Sequence, residues 1–116
     1  METQFASEVE AVDALKLSYQ KIRKEIRQVI VGQDEVVKAV LISIFSNGHC
    51  LLVGVPGLAK TLLVQTVAQV LDLSFNRIQF TPDLLPMDLI GSHIFDDNKK
   101  EFVFKKGPLF CNLLLA

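Results

Sequence analysis

The chain has 116 residues, 50% of them hydrophobic, which suits one globular domain with a core and is too short for two. Its net charge of −1, from 12 basic and 13 acidic side chains, gives no bulk attraction to nucleic acid or to an anionic membrane. The apolar runs are far shorter than a bilayer requires, so we expect no membrane insertion. Cys50 and Cys111 lie far apart without a CxxC motif, which predicts reduced core cysteines in a cytoplasmic protein.

Residues 1–30 are predicted to form an N-terminal amphipathic helix. The Ser7 hydroxyl can accept from the amide three residues on while the Glu10 carboxylate reaches back, which predicts a capping box and a helix start near Glu8. Apolar residues then alternate at spacings of three and four, which places them along one side of a helix. The predicted stripe consists of Val9, Val12, Leu15, Tyr19, Ile22, Ile26 and Val29.

Residues 31–116 are predicted to form the folded core. Helical spacing resumes after Gly32 and ends at Asn47-Gly48, which supply a left-handed stop. The run "HCLLVG", residues 49–54, is typical of a central strand buried on both faces of a parallel sheet. A third helix is expected from the apolar spacing of residues 63–71.

The C-terminal third is predicted to complete the sheet. "SFNRIQF", residues 74–80, is strand-like with Ile78 and Phe80 on one face, so strand, helix and strand make a βαβ unit. "TPDLLPMDLIG" predicts a short helical turn, with Thr81 as cap and Pro82 at the first helical position, and then a loop. The fold class is therefore α/β with a parallel sheet flanked by helices.

A β-hairpin is predicted in "HIFDDNKKEFVF", where turn residues separate two strand-prone segments. Alternation places Phe102 and Phe104 on one side and Glu101, Val103 and Lys105 on the other. The last apolar run, residues 113–116, is expected to be a buried strand at which the chain is cut from a longer sequence. His49 and His93 lack a second ligand at metal spacing, which favours structural roles.

The segment "LLVGVPGLAKT" contains a phosphate-loop pattern. Gly54 is followed by four residues and then by Ala59, Lys60 and Thr61, with alanine where the pattern has its second glycine. Backbone amides of such a loop approach phosphate oxygens, and the next helix points its positive N-terminus at the same anion. We expect Lys60 to contact the β- and γ-phosphates and the Thr61 hydroxyl to bind Mg²⁺. The Ala59 methyl is tolerable if that residue has a negative φ.

Together with "IVGQ", "RIQFTPDLLPMDLIG" and "KGPLFCNLLLA", this loop resembles the N-terminal part of a MoxR-family AAA+ ATPase. The resemblance implies a P-loop NTPase core with a hairpin insert at Ser92–Phe104, ATP and Mg²⁺ as cofactors, and a hexameric ring. It also implies a partner protein with a von Willebrand factor A domain. Residues carried over as nucleotide-binding are Val31, Gly32 and Gln33, near the adenine, and Gly54, Val55, Pro56, Gly57, Leu58, Ala59, Lys60, Thr61 and Leu62, with Lys60 as the catalytic residue.

The resemblance further implies that the Asp-Glu pair which completes the family's hydrolytic site follows Ala116. We therefore expect ATP hydrolysis, and with it remodelling or activation of protein complexes, from the complete protein, and only nucleotide binding from this chain. Two alternatives remain: a non-catalytic nucleotide-binding or assembly module, and a nucleic-acid motor of the same superfamily. The motor is disfavoured because acidic neighbours dilute the hairpin lysines. Those lysines are Lys99, Lys100, Lys105 and Lys106.

Overall fold

The structure, a computed structural model, describes residues 6–54 and 59–116. The chain divides into two compact units, Met1–Leu71 and Asp72–Ala116. Among its described residues the first unit contains three helices: α1 (Glu8–Arg27), α2 (Asp34–Phe45) and α3 (Lys60–Val70). The second contains β1 (Phe75–Arg77), α4 (Pro86–Ile90), β2 (Gly91–Asp96), β3 (Glu101–Lys106) and β4 (Leu113–Leu115).

Helix α1 begins where its sequence predicts. The Ser7 Oγ accepts from the Glu10 amide at 3.2 Å, and a Glu10 carboxylate oxygen accepts from the Ala6 amide at 3.0 Å. The carboxylate therefore reaches one residue further back than the capping box requires, and the predicted start at Glu8 is confirmed. Of the predicted apolar stripe only Ile26 is fully buried, at 1% exposed, whereas Val9 and Val29 at its two ends are 70% and 53% exposed.

The core of the first unit is built from all three helices. Its fully buried side chains are Ile26 of α1, Leu41 of α2, and Leu63 and Val67 of α3. Each is aliphatic, so their burial stabilises the unit through removal of apolar surface from water. This core fixes the N-terminal ends of α2 and α3, which carry the candidate site.

The C-terminus of α2 forms the predicted left-handed stop. Asn47 has φ 53°, its amide donates to the Ile44 carbonyl at 3.0 Å, and the Gly48 amide donates to the Ser43 carbonyl at 2.8 Å. These two bonds and the positive φ define a Schellman motif, in which the last helical carbonyls find donors. The prediction from Asn47-Gly48 is confirmed.

Residues 49–54 do not form the predicted buried strand. Leu51 and Val53 are 88% and 87% exposed, and no regular element is assigned to this run. A strand exists only where a neighbour completes its hydrogen bonds, and no described strand pairs with these residues. The βαβ unit predicted from 49–54 is accordingly not formed. Cys50 is exposed and Cys111 is half-buried, so neither lies fully in the core as predicted.

The second unit contains a short parallel pair, β1 with β4, in which Phe75 lies opposite Leu113. The strand predicted over 74–80 is shorter than expected: Ile78 is buried, but Phe80 is 64% exposed. Hydrogen bonds between Ser74 and Asn112 hold the starts of β1 and β4 together. The Asn112 Oδ1 accepts from the Ser74 amide at 3.0 Å and from the Ser74 hydroxyl at 2.8 Å. The Asn112 amide in turn donates to the Ser74 Oγ at 2.8 Å.

The short helix lies later than predicted. Residues 81–84 form a turn in which the Leu84 amide donates to the Thr81 carbonyl at 3.1 Å, and α4 begins at Pro86 rather than at Pro82. Leu85 precedes that proline with φ −99° and ψ 152°. A residue before proline is driven out of the helical region, so a helix starting at Pro82 could not continue through Leu85.

The hairpin is confirmed and runs slightly beyond the predicted bounds. Strands β2 and β3 pair antiparallel, with His93 opposite Phe104 and Phe95 opposite Phe102, so one face is aromatic as the alternation predicts. Gly91, at φ 110°, closes its base: a Cβ on this residue would overlap the Lys105 carbonyl and lie 2.7 Å from the Gly107 nitrogen. Only glycine allows the two backbone segments to approach this closely.

Candidate functional site

The candidate site is centred on Lys60, the first residue of α3. Its ammonium donates to the Gly54 carbonyl at 2.7 Å, so the first residue of the phosphate-loop pattern and its lysine meet in space. Thr61 follows in the first turn of the same helix and is half-buried. The intervening predicted residues, Val55, Pro56, Gly57 and Leu58, lie outside the described residues.

The N-terminus of α3 suits an anion. Among the described residues, no side chain caps this end, and its first turn contains no acidic residue. The first amides of a helix have no intrahelical acceptor and carry partial positive charge. The lysine adds a full charge at the same place, so the donors present here fit a phosphate group.

Ala59 enters α3 in the left-handed region, with φ 52° and ψ 33°. The expectation of a negative φ, as for a residue already in a helix, is therefore wrong. Ala59 is the N-cap, so it lies outside the helix and takes the conformation that the turn imposes. Glycine adopts this region freely, whereas a Cβ costs roughly 1–2 kcal/mol, so the loop carries strain at this position.

A cavity of about 350 Å³ lies beside Lys60 and also has Gln33 in its wall. The sequence predicts both residues to face one ligand, Lys60 from the loop and Gln33 through the family resemblance. The remaining wall residues come from α2, from the segment before the loop and from α3: Glu35, Val36, Ala39, Cys50, Leu51, Leu52, Val53 and Leu63. Val36 and Ala39 lie three residues apart on α2, the spacing of neighbours on one face of a helix.

Not every predicted site residue lines this cavity. Val31 is 85% exposed and Gly32 adopts φ 77°, and neither contributes to the wall. Leu62 is 45% exposed in the first turn of α3. Their roles beside a nucleotide stay predictions.

An ion-pair cluster that the sequence analysis missed lies next to Gln33. Asp34 accepts from Arg27 through two bonds, Nε to Oδ1 at 3.0 Å and Nη2 to Oδ2 at 3.2 Å, and Arg23 Nη2 lies 3.1 Å from the same Oδ1. Hydrogen bonds from Arg27 and then Arg23 lower the pKa of Asp34. A hydrogen bond to the Tyr19 hydroxyl, at 3.0 Å, is the main cause that raises the pKa of Arg23.

Comparison with known proteins identifies the family. A family model described as the ATPase family associated with various cellular activities, AAA, matches residues 49–116. The chain belongs to this family. Chaperone MoxR1 of Mycobacterium tuberculosis is 51% identical over 92 residues, which cover 79% of this chain and 24% of that protein. Protein MoxR of Methylorubrum extorquens is 39% identical over 70 residues, 60% of this chain and 20% of that protein. The chain is thus a MoxR-type member of this family.

A solved structure has the same fold. The crystal structure of a provisionally assigned ATPase from Cytophaga hutchinsonii matches with a TM-score of 0.77 at 49% identity. The match covers 94% of this chain and 34% of that protein. The α/β class predicted from the sequence is confirmed. The MoxR-type chain spans about a quarter of the length of the curated relatives it matches.

Two further predictions concern metals and membranes. Within residues 6–54 and 59–116, no three His, Cys, Asp or Glu side chains form a group that could hold a metal ion. His93 packs against the ring of Phe104, with centroids 5.2 Å apart, which fits the structural role predicted for it. No described helix of the MoxR-type chain combines the length and the apolar character needed to cross a bilayer.

Proposed function

We propose that this MoxR-type AAA chain binds ATP with Mg²⁺ at the loop from Gly54 to Thr61. The observation that carries the proposal is the 2.7 Å contact between the Lys60 ammonium and the Gly54 carbonyl, at a helix N-terminus that no described side chain caps. It brings the two ends of the phosphate-loop pattern together beside a cavity. Membership of an ATPase family supports the same ligand.

Each predicted residue then has a distinct role. Lys60 exchanges the Gly54 carbonyl for the β- and γ-phosphate oxygens, a charged acceptor that a lysine ammonium prefers. The Thr61 hydroxyl supplies one oxygen ligand to Mg²⁺, and bound Mg²⁺ offsets negative charge on the phosphates. Gln33, with Val31 and Gly32 before it, lies near the adenine.

We further propose that the protein carrying this chain hydrolyses ATP to remodel or activate protein complexes. One relative is named a chaperone, which supports a role in the remodelling of protein complexes. The family resemblance adds a hexameric ring and a partner with a von Willebrand factor A domain to the proposal. The cysteine pattern adds a cytoplasmic location. Nucleic acid is a poorer candidate because basic and acidic residues nearly balance along the chain.

Titration of the purified protein with a fluorescent ATP analogue in the presence of Mg²⁺ tests the proposal. Lys60→Ala removes a charge-assisted contact with phosphate, so we expect binding to weaken about tenfold to a hundredfold. Lys38→Ala is the matched control, since Lys38 is an exposed lysine of α2 outside the cavity wall. Equal affinity of the Lys60 variant and the unmodified protein would overturn the assignment.

A measurement of phosphate release distinguishes an ATPase from a non-catalytic nucleotide-binding module. If the protein carrying this chain hydrolyses ATP, turnover should depend on Lys60 and on Mg²⁺. Tight binding without phosphate release would support the module instead.

A further inference from the structure

A second cavity, of about 470 Å³, lies along the C-terminal half of α1 and shares no wall residue with the cavity beside Lys60. The wall of this α1 cavity, among the described residues, contains three cations, an aromatic ring and an amide, and no acidic side chain. Spacings of three and four place these residues on one face of the helix, and the volume is that of a small-molecule site. They are Tyr19, Gln20, Arg23, Lys24 and Arg27.

The positive charges at the α1 cavity outnumber the carboxylates that are paired with them. Arg23 Nη2 and Arg27 Nε lie 3.1 Å and 3.0 Å from the same oxygen, Asp34 Oδ1, so two guanidinium groups share one carboxylate. Lys24 forms no salt bridge in the part of the chain that the structure describes. Within the described residues, two positive charges at this cavity therefore lack a counter-ion.

Arg23 has more donors than acceptors around it. Only 15% of its side chain is exposed, so most of this cation is removed from water. Its Nη1 donates to the Tyr19 hydroxyl at 3.0 Å, a neutral acceptor, and its Nε is buried without a partner among the described residues. Because water screens a buried charge poorly, an anion in the adjoining cavity stabilises Arg23 even without touching it.

The wall also has donors that are available to a ligand. The side chains of Gln20 and Lys24 are exposed, lie one helical turn apart and form no hydrogen bond within residues 6–54 and 59–116. The Tyr19 hydroxyl accepts from Arg23 and keeps its own hydrogen to donate. Phosphate oxygens accept from all three kinds of donor.

We propose that the α1 cavity binds a small phosphorylated molecule, with its phosphate group against Gln20 and Lys24. A phosphate monoester carries nearly two negative charges at neutral pH, which matches the two positive charges without a counter-ion, whereas one carboxylate of an acidic protein segment brings a single charge. The cavity has room for more than the phosphate, and the Tyr19 ring offers an apolar surface to the rest of the molecule. This site does not use Lys60, so it is independent of the proposed ATP site.

Calorimetric titration with inorganic pyrophosphate tests the α1 cavity in purified protein that carries Lys60→Ala, which weakens anion binding at the phosphate loop. In that protein, Lys24→Gln should weaken pyrophosphate binding about tenfold, because one charge-assisted contact is lost. Lys21→Gln is the matched control: Lys21 is an exposed lysine of the same helix outside the wall, and its replacement should change the affinity by less than about twofold. The salt concentration is held constant, since salt screens exposed charges.

Three results would overturn the proposal. If Lys60→Ala alone abolishes pyrophosphate binding, the anion site is the phosphate loop. Equal losses in Lys24→Gln and Lys21→Gln would mean that α1 attracts anions only through its total charge. A poly-glutamate peptide that binds more tightly than pyrophosphate, in a manner that depends on Lys24, would assign the cavity to an acidic protein segment. If circular dichroism shows that Lys24→Gln does not fold, Gln20→Ala replaces it, and a selective loss of pyrophosphate affinity is again required.

Discussion

The hairpin and the candidate phosphate loop differ in whether their polar groups are paired within the chain. In the hairpin, six cross-strand residue pairs engage the backbone, and the Lys100 amide donates to the Asp96 carbonyl at 2.8 Å. At the loop, no described side chain caps α3, and Ala59 holds a left-handed conformation that a methyl group disfavours. The hairpin turn, at Lys100, and the loop, at Ala59, both hold a non-glycine residue in the left-handed region. The difference therefore lies in the polar groups: the hairpin pairs its backbone donors internally, whereas the N-terminus of α3 keeps donors that suit an anion.

The largest effect should come from breaking the base of the hairpin. Gly91→Ala places a methyl group into the backbone of Lys105 and Gly107 and requires alanine at φ 110°. We expect the free energy of unfolding to fall by about 3 kcal/mol or more. Urea denaturation measures this loss.

Gly48→Ala is the matched control for that variant, because its added Cβ would meet one backbone oxygen, at an ordinary 3.5 Å. Equal losses in the two variants would mean that the close approach of Gly91 and Gly107 contributes nothing specific.

At the loop, we expect a substitution to raise the free energy of unfolding rather than lower it. Ala59→Gly relieves the left-handed strain, and after the greater freedom of glycine in the unfolded chain is subtracted, we expect a gain of about 1 kcal/mol. The same change inside α2, Ala39→Gly, should lose about 1 kcal/mol. Thermal unfolding of both variants checks the comparison, and a loss of stability in Ala59→Gly would show that the loop is unstrained.

The smallest effect should lie in the hairpin turn. The Asp96 Oδ1 accepts from the Asn98 amide at 2.9 Å and from the Lys99 amide at 3.3 Å. Because this carboxylate is near the surface, Asp96→Ala should cost only about 0.5 kcal/mol. Asp97→Ala, one residue on, removes a carboxylate for which the described structure shows no such bond, and should be neutral by the same denaturation measurement.

Features that depend on a few neighbouring residues could be predicted from the sequence. The start of α1 follows from Ser7 and Glu10, the end of α2 from Asn47-Gly48, and the aromatic face of the hairpin from simple alternation. In each case the groups that satisfy one another lie within a few residues, or face each other across a short turn. Local chemistry therefore decides the structure.

Features that depend on distant partners could not be predicted. The apolar run at residues 49–54 has the composition of a strand, but a strand needs neighbours that its own sequence does not specify. The Arg27–Asp34 pair spans a change of direction at Gly32, and helical periodicity says nothing about contacts across such a break. Pro86 is different: the rule for residues before proline could have placed the short helix correctly.

The Schellman motif at the end of α2 also affects how the protein ages chemically. Asparagine followed by glycine loses ammonia when the glycine nitrogen attacks the asparagine side chain and forms a cyclic imide. At Asn47-Gly48 that nitrogen donates its hydrogen to the Ser43 carbonyl at 2.8 Å. An attack would have to break this bond and the helix end with it, so the folded chain should deamidate at this sequence far more slowly than the unfolded one.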